Sequence, residues 1–217
     1  MGGETASGGE LLSKTGNLLR DNSKGAWRAF LIVTAVGCGI DFLSRGGSNS
    51  PAVLSTAVSI YFQYETTYRL LSELGLLPDG YRARRFWSVL GLSIVTGIGL
   101  IAGLVLLVVP AVILSVRWFV SVPALIGEEV GVFAALGRSW EETKGRFWPI
   151  FIVLIAVYGL MIPGMALLAL NEITPNFGVL DILANALIAA CSVAGWHAAV
   201  AVYADRLGKS TLAEVFS

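Results

Sequence analysis

The chain has 217 residues, of which 55% are hydrophobic and only 14% are charged. Soluble domains average roughly 45–50% apolar and about 25% charged residues, so this composition indicates a protein that lies in a lipid bilayer. Fifteen Lys and Arg residues balance fifteen Asp and Glu residues, and this neutral balance argues against nucleic-acid binding. At about 20 apolar residues per membrane-spanning helix, the chain is long enough for roughly six spans.

Long apolar runs separated by short polar segments predict an all-α, polytopic membrane protein with six transmembrane helices arranged as three hairpins. Residues 1–23 predict a cytoplasmic tail, residues 24–208 the membrane domain, and residues 209–217 a second cytoplasmic tail. The spans are predicted at about 27–43, 52–71, 86–109, 110–127, 148–170 and 183–204.

Two segments outside these spans have the leucine or aromatic spacing of helices that lie on a membrane surface. The first is a short stripe within the amino-terminal tail, formed by Leu11, Leu12, Leu18 and Leu19. The second is residues 128–147, which predict an amphipathic interfacial helix. Its residues of interest are Phe133, Leu136, Arg138, Trp140 and Lys144.

The apolar stretch from Phe86 to Gly127 is too long for one crossing, because 42 helical residues would extend more than about 60 Å. The chain must therefore fold back, and Pro110 is the predicted break. Basic loops flank the stretch on both sides, which requires an even number of crossings. Two full spans and a re-entrant hairpin both satisfy that requirement, and two spans are preferred.

The loop charges are strongly asymmetric between the two sides of the predicted bundle. Twelve of the fifteen cations fall on one side, Arg45 alone on the other, and Arg69 and Arg117 within apolar segments. Because cytoplasmic loops carry the excess of Lys and Arg, both termini are predicted to be cytoplasmic.

Tryptophan residues next to basic residues recur near the start of three spans, at Trp27, Trp87 and Trp148. This spacing suggests three hairpins of one ancestral type. An alternative remains open, because tryptophan and arginine gather at membrane interfaces in unrelated proteins.

Polar side chains inside the apolar segments are the candidate functional residues, because a charge in hydrocarbon needs a partner or a cavity. Glu65, Arg69, Arg117 and His197 are predicted at similar depths from the basic side and could form one intramembrane cluster. Such a cluster is either a substrate or proton site, or a buried ion pair with a hydrogen-bonded histidine that fixes helix packing. The structural interpretation is preferred.

The sequence lacks the residue patterns of known catalytic and metal sites. One histidine and two cysteines in separate spans cannot make a structural zinc site, and no phosphate-binding loop or nucleophile motif is found. We therefore expect no catalytic residues, no metal and no cofactor. The expected partners are the lipid bilayer and either a second copy or another membrane protein, which could pack on Gly99-x-x-x-Gly103 or Gly195-x-x-x-Ala199. No small-molecule ligand is identified.

The stretch from Arg117 to Trp148 resembles a known family. It contains Arg117-Trp118, Pro123-Ala124-Leu125, Glu128-Glu129, Ala135-Leu136-Gly137-Arg138-Ser139-Trp140 and Lys144-Gly145. This pattern resembles the membrane domain found beside glycerophosphoryl diester phosphodiesterases and the related YciC-like inner-membrane proteins. The resemblance implies a multi-pass protein of the bacterial inner membrane. The phosphodiesterase domain of such proteins is a separate soluble barrel, which nothing in these residues could encode.

Three functions are weighed against these observations. The first is a non-enzymatic membrane module with a structural, regulatory or partner-binding role. The second is a transporter or a lipid- or small-anion-handling protein with a polar site around Glu65, Arg117 and His197. The third, a membrane-embedded hydrolase, would need an acid–base pair that the sequence does not offer. The first is preferred.

Overall fold

The computed structural model describes residues 6–45, 51–78, 85–106, 108–159, 161–171 and 178–215. Every secondary-structure element in those ranges is an α-helix, which confirms the predicted all-helical fold. The helices of these ranges are α1 Gly8–Asp21, α2 Ser23–Arg45, α3 Pro51–Glu73, α4 Phe86–Leu106, α5 Val108–Arg117, α6 Ser121–Gly127, α7 Val132–Glu142, α8 Phe147–Tyr158, α9 Met161–Asn171 and α10 Val179–Val215.

Five helical stretches in the described part of the chain are long and apolar enough to cross a membrane. They are Ser23–Ser44, Phe86–Leu106, Val108–Gly127, Phe147–Ala169 and Val179–Gly208. Helix α3 is not among them, because its second half carries several polar and charged residues. Helix α2 packs against α3, α4 against α5, and α9 against α10. These are the neighbours that three hairpins require, although the count of six spans stays a prediction.

The amino-terminal segment 1–23, predicted as a tail, packs into the bundle from Ala6 onward. A capping box begins α1: the Ser7 hydroxyl accepts from the main-chain N–H of Glu10 at 3.2 Å, and the Glu10 carboxylate accepts from the N–H of Ser7 at 2.9 Å. Leu11 is completely buried where α1 packs against α8 and α10. Leu11 of the leucine stripe therefore faces the protein, whereas the other three leucines of the stripe are half-buried.

The long apolar run turns back after Leu106, so the prediction of a break at Pro110 was wrong. Pro110 lies in the first turn of α5, where main-chain N–H groups have no partner within the helix and a proline is tolerated. The Arg85 guanidinium, just before α4, donates to the main-chain oxygen of Val130 at 2.7 Å, just beyond the end of α6. The segment from α4 to α6 therefore begins and ends at the same side of the bundle. Helix α4, with 21 residues, is about 32 Å long, close to the hydrocarbon thickness.

Two later spans can be compared with their predicted bounds. The predicted span 148–170 agrees with the apolar stretch Phe147–Ala169, which contains α8 and α9, and Pro163 lies in the first turn of α9. The predicted span 183–204 is part of α10, whose 37 residues extend about 55 Å. Helix α10 continues beyond 204, and Asp205 there forms ion pairs with Lys14 of α1 and with Arg146, which precedes α8.

The predicted interfacial helix 128–147 is present as the shorter helix α7. Positive φ angles interrupt helical geometry on both sides, 52° at Glu129 and 75° at Gly145. Gly145 adopts this conformation without strain, and α7 lies between the two positions, from Val132 to Glu142 with Gly131 as its N-cap and Thr143 as its C-cap.

Burial is uneven along the bundle. Large buried side chains cluster toward the end that carries the basic residues, and they include Leu71, Leu92, Leu125, Ile150 and Tyr203. Apolar side chains toward the other end of α4 are exposed, namely Ile98, Ile101, Leu104 and Val105. An apolar surface of this kind is unfavourable in water and is covered by lipid chains in a bilayer.

Candidate functional site

Two members of the predicted polar cluster lie on α3 and bind each other. The Arg69 guanidinium lies 2.6 Å from the Glu65 carboxylate, four residues earlier on the same helix. Arg28 of α2 approaches the same carboxylate at 4.0 Å. Thr66 and Thr67 are buried beside them. The acidic group of this cluster therefore has two cationic neighbours from two helices.

His197 of α10 is completely buried and has a hydrogen-bond partner at each ring nitrogen. Its Nδ1 lies 2.8 Å from the main-chain oxygen of Val193, and its Nε2 lies 3.3 Å from the side-chain nitrogen of Asn22. The carbonyl can only accept and the amide nitrogen can only donate. These partners assign a neutral imidazole with its proton on Nδ1.

Asn22 lies next to both His197 and the Glu65–Arg69 ion pair. It lines a small cavity together with Arg28, Glu65 and Arg69, at the junction of α1, α2 and α3. The cavity volume is about 10 Å³, at the lower limit of the space that one water molecule needs. Asn22 therefore lies between His197 and the Glu65–Arg69 pair, and the cavity that Asn22 lines together with that pair has almost no free space.

Arg117 lies elsewhere, between the end of α5 and α7. Its guanidinium carbon lies 5.2 Å from the ring centre of Trp140, in a cation–π contact. Its main-chain oxygen accepts from the Ser139 hydroxyl at 2.7 Å and from the Thr143 hydroxyl at 3.4 Å. Among the described contacts, none joins Arg117 to Glu65, Arg69 or His197. Arg117 therefore anchors α7 rather than joining the other three.

The remaining residues of the predicted interfacial helix occupy both faces of α7. Leu136 is buried, whereas Phe133 is 78% exposed and Trp140 is 39% exposed. The Arg138 guanidinium donates to Glu128 at 2.6 Å, and this hydrogen bond raises the pKa of Arg138. Lys144 lies 3.6 Å from Glu141 in an exposed pair. One face of α7 thus packs on the bundle, and the other presents aromatic side chains outward.

A buried ion-pair network at the same end was not predicted from the sequence. The Asp205 carboxylate on α10 is hydrogen-bonded by Lys14 of α1 and by Arg146, which precedes α8. The side chains of Asp205 and Arg146 are 1% and 3% exposed. Arg206, the next residue, lies 2.9 Å from Glu142 of α7. Together these pairs hold four segments of the bundle at one end.

The opposite end of α10 has its own polar contact. The Asn185 side-chain nitrogen donates to the Asp41 carboxylate of α2 at 2.5 Å and to the main-chain oxygen of Asp181 at 2.9 Å. Asp181 is buried and accepts from the main-chain N–H of Gly178 at 2.7 Å. These contacts join α2 to α10 at the far end from the ion-pair network.

The glycines of the small-residue motifs are used within the chain. A Cβ at Gly103 would lie 3.0 Å from the main-chain nitrogen of Ala111, so α4 and α5 approach each other closely there. Gly99 is packed against the ring of Trp118, and Gly195 against the hydroxyl of Tyr158. These glycines support packing between helices of one copy.

The described residues include no group of three or more His, Cys, Asp or Glu side chains that could hold a metal ion. Cys38 and Cys191 are free thiols. What the geometry offers is therefore a set of paired charges and hydrogen bonds that join helices.

The structure is that of a polytopic helical membrane protein. Its helices are long and apolar, α4 exposes an apolar surface, and its buried charges form ion pairs. Residues 93–192 match the family model of the membrane domain of glycerophosphoryl diester phosphodiesterase. This match confirms the resemblance over that segment, which runs from α4 into α10 and includes Arg117, α7 and Arg146. Glu65, Arg69 and His197 lie outside it. No curated protein and no solved structure matches the chain.

Proposed function

We propose that the chain is a non-catalytic module of a bacterial inner membrane, with a structural, regulatory or partner-binding role. The observation that carries this proposal is the filling of the polar site. Glu65, Arg69 and His197 bind other protein groups, and the cavity beside Glu65 and Arg69 has a volume of only about 10 Å³. A substrate would need an open space there, whereas a packing role does not.

We further propose six crossings, with both termini in the cytoplasm. Helix α3 would be the sixth span, because its 23 residues extend about 34 Å and it packs beside α2. Its charged residues Glu65 and Arg69 are paired, which lowers the cost of placing them in the membrane. An even number of crossings also brings α1 and the end of α10 to the same side, where Lys14 reaches Asp205.

The basic end would face the cytoplasm. The contacts of five cations lie at this end, and these cations are Lys14, Arg85, Arg138, Arg146 and Arg206. The cytoplasmic side of a membrane protein carries the excess of Lys and Arg. The exposed tryptophans at the starts of α2, α4 and α8 are typical of a membrane interface, and they are Trp27, Trp87 and Trp148.

A transporter or anion-handling role around Glu65, Arg117 and His197 is not favoured by this geometry. Such a role requires a shared space that all three side chains line. Arg117 instead stacks on Trp140, and His197 is closed in by Asn22 and Val193.

The proposal is tested by measuring stability and transport on the same variants. A packing role predicts that Glu65→Gln and His197→Ala both lower the melting temperature of the purified protein. Glu141→Gln is the control, because its pair with Lys144 is exposed and contributes little. Proteoliposomes of the wild type should take up labelled inorganic phosphate no faster than empty liposomes. Saturable uptake that His197→Ala abolishes at an unchanged melting temperature would contradict the proposal.

A further inference from the structure

An apolar groove opens on the side of the bundle where the end of α1, the start of α2 and the middle of α10 meet. Its volume is about 410 Å³, within the range of roughly 300–1,000 Å³ typical of ligand pockets. Ser23 supplies the one polar side chain among its described lining residues. The lining consists of Leu19, Ser23, Ala26, Trp27, Phe30, Ala190, Val193 and Ala194.

The groove runs along the direction in which α2 enters the membrane. Ser23 and Leu19 lie at its polar mouth, and Phe30 lies about 10 Å further along α2. Trp27, which is 62% exposed, lies between them at the level where interfacial tryptophans are found. An occupant must therefore be apolar along its length and polar at the end that reaches the mouth.

Two cations are sequence neighbours of the residues at the mouth of the groove. Arg20 and Lys24 are exposed and are the sequence neighbours of Leu19 and Ser23. Within the described part of the chain, neither makes an ion pair. By contrast, Arg28 approaches Glu65 on the other side of α2.

The nearby acidic residue, Asp21, is not among the lining residues of this groove. Asp21 lines a different cavity, of about 500 Å³, together with Lys14 and Asp205. Two carboxylates, of Asp21 and Asp205, thus line that cavity, whereas no carboxylate is among the described lining residues of the groove. Of the two cavities, the groove beside Arg20 and Lys24 is therefore the one suited to an anionic group.

We propose that this groove binds one anionic phospholipid from the leaflet at the basic end, with an acyl chain along Phe30 and Val193 and the phosphate at Arg20 and Lys24. The Ser23 hydroxyl is placed to donate a hydrogen bond to the phosphate or to the ester oxygens. A lipid meets both requirements of the groove, because it joins a long apolar chain to an anionic head. Anionic lipid heads attract Lys and Arg at the membrane surface by about fivefold in affinity per cation, or about 25-fold for two.

Native mass spectrometry of the delipidated, detergent-purified full chain tests this assignment. Phosphatidylglycerol and phosphatidylcholine with identical acyl chains are titrated separately. The wild type should bind one phosphatidylglycerol about 25-fold more tightly than phosphatidylcholine. The double variant Arg20→Gln/Lys24→Gln should lose that preference while keeping its helical content, because both side chains are exposed and form no ion pair with the described residues.

A second pair of variants separates the groove from the general lipid surface. Ala190→Phe places a ring in the groove and should weaken binding of both lipids at least tenfold. Ala156→Phe is the matched control, because Ala156 is also an exposed alanine on an apolar helix but lies outside the groove. It should bind lipid as the wild type does.

Three results would overturn the assignment. The first is equal wild-type affinity for the two lipids, and the second is wild-type lipid affinity in Ala190→Phe. The third is a wild-type dimer that Ala190→Phe dissociates, which would mean that a second copy fills the groove.

Discussion

Replacing Asp205 by asparagine should destabilise the bundle more than any other single loss of charge at the basic end. The Asp205 carboxylate is 1% exposed and is bound by Arg146, which is 3% exposed, and by Lys14, which is half exposed. Asparagine keeps the shape of the side chain but removes its charge. The positive charge of Arg146 then remains buried without a counter-charge.

The size of the effect follows from the burial of the two pairs. Breaking a buried pair on one side costs about 3–5 kcal/mol, whereas a partly exposed pair contributes about 0–1 kcal/mol. Arg146 donates to Asp205 through Nη2, and its buried Nε and Nη1 have no hydrogen-bond partner in the described part of the chain. The free energy of unfolding should therefore fall by about 3–5 kcal/mol in Asp205→Asn and by no more than about 1 kcal/mol in Lys14→Gln.

The assay is reversible unfolding of the purified protein in mixed micelles, followed by far-ultraviolet circular dichroism. The double variant Arg146→Met/Asp205→Leu is a necessary companion, because removing both charges should restore much of the lost stability. The reasoning fails if Asp205→Asn unfolds within about 1 kcal/mol of the wild type, or if the double variant is as unstable as Asp205→Asn.

Two further predictions concern backbone features. Gly103→Leu should lower the free energy of unfolding by about 1–3 kcal/mol, because the new side chain meets the main chain of Ala111. Gly97→Leu, with open space at its Cβ, should not, and equal losses in both would refute the close packing of α4 on α5. Ser7→Ala removes the hydroxyl cap of α1 and should cost that helix about 1 kcal/mol, seen as faster amide hydrogen exchange in the first turn of α1. Unchanged exchange there would contradict the role of the cap.

The helices were predictable because each apolar run is much longer than a buried segment of a soluble protein. The positions at which these helices end were not predictable in the same way. Pro110 suggested a helix break at that residue, but a proline fits the first turn of a helix. Helix α5 therefore begins before Pro110, at Val108. The leucines of α1 indicated an apolar face, but they could not tell whether lipid or protein covers it. The pair Ser7 and Glu10 was the available signal for the start of α1.

The polar site was only partly predictable, because helix periodicity gives a residue's depth and not its lateral position. Glu65 and Arg69 are four residues apart on one helix, and their pairing follows from local geometry. Arg117 was expected beside them because its depth is similar, but helix packing places it against Trp140 instead. The pairing of Arg146 with Asp205 joins residues far apart in sequence, which no local pattern reveals.

The central claim is that this chain lies in the membrane with its basic end in the cytoplasm, and cysteine labelling tests it most directly. Single cysteines at Ser44 and at Lys144, both exposed, would be introduced into a Cys38→Ala/Cys191→Ala background. A membrane-impermeant maleimide should label Ser44→Cys in intact cells, and Lys144→Cys only after the inner membrane is permeabilised. Labelling of Lys144→Cys in intact cells, or recovery of the protein in the soluble fraction, would contradict the account.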